Sequence, residues 1–402
     1  MPFVVPACLR TAGRAACGLG LALLAGTARA GPIEGTPPYP PSPYITQLDL
    51  DWSNYRRDAL GGDNWPTTWA ADGNVYTSWG DGGGFGPNAA ENAYVAIGIA
   101  RLTGSSPATV AGRNLIGGLD PAIADCVPPL GDRVEGNQGR PCSKKGVRAK
   151  TMGMLALGDQ TYMFFTPGSS GLNYAEARLR AWTIGTNSWR RAGWAFTKDD
   201  AYPLIDPALL QAGKGYADIT DYVYAYAPRY APVDPTKLSI QRGSGGGQLA
   251  LLRAPKGTDL LSRASWQFFA GRDASGRPRW TGNQAAAKPA FVNPDGVGWA
   301  VSATYVKALG RYLLLSEHKA SFAGYLGLFE APGPAGPWRT VAYFRLPVAR
   351  VGLAPTQYLY NFLAGSFSAD GERFTLVFTG QRTPQDSINL VSGSLTVNRT
   401  AR

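Results

Sequence analysis

Histidine, cysteine and methionine are scarce here: the 402 residues include one histidine, four cysteines and four methionines. Cys8 and Cys17 fall within the first thirty residues, so only Cys126, Cys142 and His318 remain as nitrogen or sulfur ligands. A structural zinc site takes four such ligands, and that class is excluded. Long apolar runs are also missing, since the longest near the start, Leu19 to Ala25, is far below the roughly 20 residues needed to cross a bilayer. No Gly-x-Gly-x-x-Gly fingerprint opens a βαβ unit, and the glycine-rich run Arg242 to Gln248 lacks the lysine of a phosphate-binding loop. No organic cofactor is expected, although oxygen ligands are plentiful enough for a bracing calcium ion. The missing Gly-x-Ser-x-Gly elbow argues against a serine hydrolase.

The opening residues are informative. Arg10 and Arg14 precede a short apolar core and then Ala28-Arg29-Ala30, the pattern of an export signal cut after Ala30. Residues 1–30 are therefore expected to leave, and the mature chain to be secreted or periplasmic. Three arginines leave with them, taking the net charge from +11 to +8. Basic residues are scattered between Gly and Pro without the stripe of a nucleic-acid footprint, so an anionic polymer or cell envelope is the more natural electrostatic partner. Cys126 and Cys142 lie 16 apart in a loop-like segment rich in Pro and Gly, and an oxidising compartment favours a disulfide between them. Oligomeric state leaves no trace in the sequence.

Residues 31–47, GPIEGTPPYPPSPYITQ, form a Pro-rich leader without periodicity, expected as an extended strap or a mobile lead-in. Beyond it, short Val, Tyr, Trp and Phe runs alternate with Gly, Asp, Asn and Pro turns, and no helical period persists. Two hairpins stand out, one turning at Ala71-Asp72-Gly73-Asn74 and one at Gly158-Asp159-Gln160. Such units recur at wide, uneven spacing over residues 48–400, which suits four-stranded blades with unequal loops. The expected fold is all-β, a single-domain five-bladed β-propeller closed by residues 373–396 joining the first blade. The alternative is a β-sandwich with a small second domain.

Chemistry concentrates in residues 48–86, LDLDWSNYRRDALGGDNWPTTWAADGNVYTSWGDGGGFG. Asp63 precedes Trp65-Pro66, and Asp81 follows Trp79-Gly80 at the end of the hairpin's second strand, so one hairpin can bring both carboxylates to the same rim. Glycosidic cleavage needs one protonated carboxyl at the leaving oxygen and one ionised partner. Burial and a like charge can hold two such groups in different protonation states. Trp65, Trp69, Trp79 and Phe85 are candidate sugar platforms, while Asp72 is accounted for by turn chemistry.

GGDNWPTTWAADGNVYTSWGDG, KTMGMLALGDQTYMFF, YADITDYVYAYAP, ASWQFFAGRDASGRPRW and SATYVKALGRYLLLSEH together span most of the mature chain. In these phrases the chain resembles a bacterial family of exported propellers, formerly of unknown function, that includes endo-D-arabinofuranosidases. The resemblance implies a glycan hydrolase with catalytic carboxylates at Asp63 and Asp81, and D-arabinan as its polymer, cut internally. The family commonly has two adjacent acids where this chain has Thr220-Asp221, with Asp218 nearby; the departure bears on the third catalytic group.

Asp221, before an alternating Tyr-rich strand, is the expected third carboxylate. Arg148, Lys150 and Asp218 are candidate sugar-hydroxyl partners, and Trp299 and Tyr305 candidates for an aromatic wall. Glu317 and His318 close RYLLLSEH, Glu317 as an alternative general acid and His318 as a hydrogen-bonding group. Two other functions stay open: a non-catalytic carbohydrate-binding or envelope protein, and a polysaccharide lyase using Arg148, Lys150 and His318 around an acidic sugar.

Overall fold

Turn residues set the strand boundaries. Asp72 accepts from the Asn74 backbone N–H at 2.8 Å, and Gly73 donates to Ala70 at 3.0 Å, so the chain reverses between Thr67–Trp69 and Val75–Gly82 as expected. Gly158 and Asp159 likewise separate Arg148–Leu157 from Gln160–Gly168. The computed structural model describes residues 28–29, 33–59, 62–86, 95–117, 148–168, 176–186, 188–230, 247–298, 300–319, 322–347, 351–352, 357–382 and 385–401.

Five antiparallel sheets result. Blade one runs Thr67–Trp69, Val75–Gly82, Val95–Thr103, Ala111–Ile116 from the axis outward, and blade two runs Arg148–Leu157, Gln160–Gly168, Glu176–Thr183, Trp189–Arg191. Blade three starts with Ala208–Leu209, Tyr222–Pro228 and Gln248–Pro255, then carries Gln267–Arg272 and Pro278–Thr281. Blade four is Val301–Val306, Arg311–Ser316, Tyr325–Ala331, Arg339–Arg345. Blade five begins Gln357–Phe362, Arg373–Arg382, Gln385–Val397, and its outer strand is the N-terminal Ile45–Asp58. The molecule is a five-bladed β-propeller.

Closure differs from the sequence expectation. Residues 373–396 stay in their own blade, and Ile45–Asp58 adds to its open edge with Leu48 opposite Leu395 and Leu50 opposite Gly393. The physical reason is the edge: Gln385–Val397 would otherwise present unpaired backbone groups, and Leu48, Leu50 and Trp52 would lose their buried face. Blade five then meets blade one through Thr67, whose hydroxyl donates to Phe362 O at 3.0 Å and accepts from Ala364 N at 2.8 Å.

Apolar layers fill the spaces between adjacent blades, one continuous cluster running through blades two, three and four. Ile97, Ile99 and Tyr76 of blade one pack on Met154, Phe165 and Trp182 of blade two. Leu313, Leu315 and Leu328 of blade four pack on Leu50, Phe362 and Leu376 of blade five. The leader is a strap: Ser42 N donates to Thr340 O at 2.8 Å and Thr340 N to Pro40 O at 2.9 Å, covering the outer edge of blade four. Its end is earlier than expected, because Ile45 already belongs to a strand. Ala28–Arg29, inside the segment expected to be removed, pairs with Leu50 and Asp49.

Candidate functional site

Propeller topology brings the starts of all inner strands and the ends of all second strands to one axial face. Asp63 and Asp206 precede the inner strands of blades one and three, and Lys150 lies at the start of blade two's. Glu317 follows the second strand of blade four, and Asp386 begins the third strand of blade five. Residues far apart in sequence thus share one rim.

Asp63 is the best defined of them. Its backbone pairs with Gly80, N–H to O at 2.8 Å and O to N–H at 2.7 Å, so it sits beside the strand that leads into Asp81. Asn64 turns left-handed at φ 61°, a conformation asparagine tolerates, and Pro66 holds Trp65 extended, sending the indole down into the core while the Asp63 carboxylate stays at the rim. Lys150 Nζ donates to both Asp63 oxygens, at 2.6 and 2.7 Å, with side-chain exposures of only 3% and 10%. The ammonium balances the carboxylate where little water reaches. Gly80 makes room for this contact: a Cβ there would lie 2.7 Å from Asp63 Oδ1 and 3.0 Å from Lys150 Nζ.

A second polar line joins blades two and three. Lys150 stands opposite Thr166, and the Thr166 hydroxyl donates to Asp206 Oδ1 at 2.5 Å. Burial pushes the Asp206 carboxyl up to about 7, against the lowering effect of that hydrogen bond. Asp206 also holds φ 46°, a strained conformation of the kind that gathers at functional sites.

Tyr358 ties the remaining acids together. Its hydroxyl donates to Asp386 Oδ2 at 3.1 Å. Burial raises its phenol well above the ordinary range, and the charges of Asp63, Asp386 and Glu317 add to that rise. Glu317 is buried and accepts from Leu359 N at 3.2 Å and Phe322 N at 3.1 Å. Burial pushes its carboxyl up to about 7, although both backbone bonds favour the ionised form. Leu359 is forced to φ 57° within a register shift of blade five's inner strand, a costly conformation for a bulky residue. Met152, Ala300, Tyr358 and Leu359 form a buried apolar layer that joins blades two, four and five across the axis.

Several sequence expectations are corrected. Trp65, Trp79 and Phe85 are not sugar platforms: all three are buried, and the two indoles stack at 6.2 Å between blades one and five. An aromatic next to an acid has the same sequence signature whether it faces a sugar or a core. Asp218 and Asp221 lie at the opposite axial face, since Tyr222–Pro228 starts there and ends at the acidic rim beside Leu204 and Ile205. Asp221 is exposed and accepts from Thr220, and Asp218 pairs with Lys307 at 3.6 Å. His318 points away from the axis and stacks on Tyr343 of blade four's outer strand, with centroids 3.5 Å apart. Burial pushes that imidazole down to about 4.

The side chains of Asp81 and Arg148 lie outside the described residues, as do Trp299, Cys126 and Cys142. Asp206, Tyr358 and Asp386 were missed. Asp206-Pro207 before a strand repeats the acid-before-strand pattern of Asp63, a usable signal; nothing local marks Tyr358 or Asp386. Among the described residues, no group of three or more His, Cys, Asp or Glu side chains converges as a metal site, and no helix is long and apolar enough to cross a membrane.

No family model and no curated protein matches this sequence. Among solved structures, the chain is similar to a Bacteroides ovatus protein provisionally described as a hydrolase, with TM-score 0.54 and 13% identity over 86% of this chain and 90% of that one. More distant overlaps include the GH43_1 enzyme from Xanthomonas citri, at TM-score 0.46 and 12% identity, covering 84% and 91% of the two chains. The RS223 beta-xylosidase overlaps at TM-score 0.47 and 9% identity, covering 86% and 98%. At such identities the first of these likenesses shows the fold, and the acidic rim must speak for the chemistry.

Proposed function

We propose that this chain is an exported glycoside hydrolase that cleaves a furanose polymer internally, D-arabinan being the leading substrate. The observation that carries the reading is the buried Asp63–Lys150 pair at the axial rim, beside Tyr358 and two carboxyls, Asp206 and Glu317, whose burial raises their affinity for protons. Hydrolysis of an acetal needs an ionised carboxylate and a protonated one at a single locus, and this rim favours both states near neutral pH.

In this mechanism Asp63, balanced by Lys150, is the ionised member, activating water or attacking the anomeric carbon. Asp81, whose backbone follows the residue paired with Asp63, supplies the proton to the leaving oxygen. Glu317 is the alternative acid. The resemblance in residues 62–82 supports the Asp63 and Asp81 assignment and the choice of D-arabinan, and the basic composition with the expected export signal supports an envelope polymer. The lyase alternative loses support because His318 is stacked away from the axis and Lys150 is engaged by Asp63. The binding-module alternative loses Trp65 and Trp79 as platforms.

The test is product release from D-arabinan, L-arabinan, xylan and an acidic polysaccharide by the mature protein, Asp63→Asn, Asp81→Asn and Glu317→Gln. Oligosaccharides from D-arabinan that disappear in the first two variants and persist in the third support the assignment. Loss in Glu317→Gln with activity retained in Asp81→Asn transfers the acid role. No release from any polymer by wild-type protein defeats the hydrolase reading. Proton NMR of the first-formed anomer separates inversion from retention.

A further inference from the structure

We propose that the axial mouth opposite the acidic rim is a second carbohydrate site, one that binds a short neutral stretch of glycan without cleaving it. A cavity of about 380 Å³ opens there, within the usual range for small-molecule pockets of about 300–1,000 Å³. Trp69, Gln211, Asp218, Thr304, Tyr305 and Phe367 are among the residues that line it. Neither Asp63 nor Lys150 is among the residues that line it.

The lining specifies a hydroxyl-rich, uncharged ligand. Trp69 and Tyr305 are both partly exposed, offering apolar ring surface to the C–H faces of a sugar. Trp69 is held in place by Gly365, at φ 77°, where a Cβ would come within 3.1 Å of the indole. Gln211 spends its amide N–H groups on Met154 O at 2.6 Å and Leu209 O at 3.2 Å, leaving its side-chain oxygen as an acceptor. Asp218 faces a single ammonium, Lys307, at 3.6 Å, and an ionised carboxylate has about four acceptor positions. Acceptors of this kind take hydroxyl protons. Asp218 and Lys307 are the charged residues among those that line the pocket and they offset each other, so neither an anionic nor a cationic ligand is favoured.

A site of this type would hold one segment of a polymer while another reaches the acidic rim, raising the local concentration of chain ends and branches. Only the choice of polymer rests on the proposed function; the pocket itself does not require catalysis.

Affinity electrophoresis in gels containing D-arabinan, L-arabinan or xylan tests this. The Asp63→Asn protein serves as background, with Trp69→Ala or Asp218→Ala added. Asp218→Ala removes no packed ring and so guards against a folding failure in Trp69→Ala; a melting curve identical to the background protein's confirms the fold. Expected is retardation of Asp63→Asn by at least one polymer, with apparent affinity falling about tenfold in either added variant. Unchanged retardation in both folded variants, or no retardation of any protein in any gel, overturns the pocket. The outcomes separate the two proposals. Retardation that depends on Trp69 and Asp218, with no sugar released by wild-type protein, keeps the pocket and sinks the hydrolase; release of sugar with retardation indifferent to both residues does the reverse.

Discussion

Asp63 and Lys150 form an ion pair with little access to water, their side chains being 10% and 3% exposed. Removing one partner from a buried ion pair leaves an uncompensated charge, at a cost of about 3–5 kcal/mol. Lys150→Met is therefore expected to lower unfolding free energy by that order in urea titrations, and Asp63→Asn combined with Lys150→Met to recover part of it. Equal destabilisation by the double variant and by the sum of the singles would show that the contact carries no coupling. Glu317 gives a pH signature. Its folded carboxyl is pushed from 4.5 up to about 7, so the folded state holds its proton more tightly than the unfolded chain does. Its contribution is then fully present below pH 4.5 and is lost as pH rises through about 7, on the order of 3 kcal/mol in all. Glu317→Gln should flatten the stability–pH curve in that window, leaving the parallel slope due to Asp206. An unchanged slope in the variant contradicts the buried, proton-holding state of Glu317.

Among elements, the hairpin spanning residues 67–82 builds the core and, through Gly80, pairs with the backbone of Asp63. Its Trp79 is fully buried, so Trp79→Ala should cost about 3–5 kcal/mol and depress the yield of folded protein. A sugar platform would behave differently, raising KM at constant stability. Gly80→Ala is the complementary case, since the added methyl meets Asp63 Oδ1 and Lys150 Nζ directly. In the proposed mechanism Asp63 is the reacting carboxylate, and displacing such a group by about 1 Å can cost about a hundredfold in rate. The expected result is a fall of that size in kcat with only a small drop in Tm, read by product release beside a melting curve. The two substitutions lie one residue apart and should separate stability from chemistry.

At the scale of the molecule, the ring is closed by a strand from the other end of the chain. Ile45–Asp58 pairs with Gln385–Val397, and strands from the two ends of the chain therefore fold together or not at all. Deleting residues 31–58 should expose the edge of blade five and the apolar faces of Leu376, Val391 and Leu395. We expect loss of a single cooperative melting transition and oligomers on size-exclusion chromatography; a monomer with an unchanged transition would mean that closure contributes little. Deleting only residues 31–40 removes part of the strap on blade four and should have the milder effect.

Strand class, the hairpins at Gly73 and Asp159, the repetition of blades and the place of Asp63 ahead of a strand are legible in the sequence alone. Those features are local: turn residues, two-residue alternation and an acid placed before a strand are written within a few positions of one another. Tertiary structure alone decided which terminal strand closes the ring, that Trp65 and Trp79 face inward, and that Asp218 and Asp221 lie at the far mouth. It also assembled Asp63, Lys150, Asp206, Glu317 and Tyr358 at one rim. The physical reason is that a strand's pattern states which residues share a face, whereas the hand of the ring and the packing of neighbouring blades decide whether that face meets a sugar, a core or the opposite end of the axis.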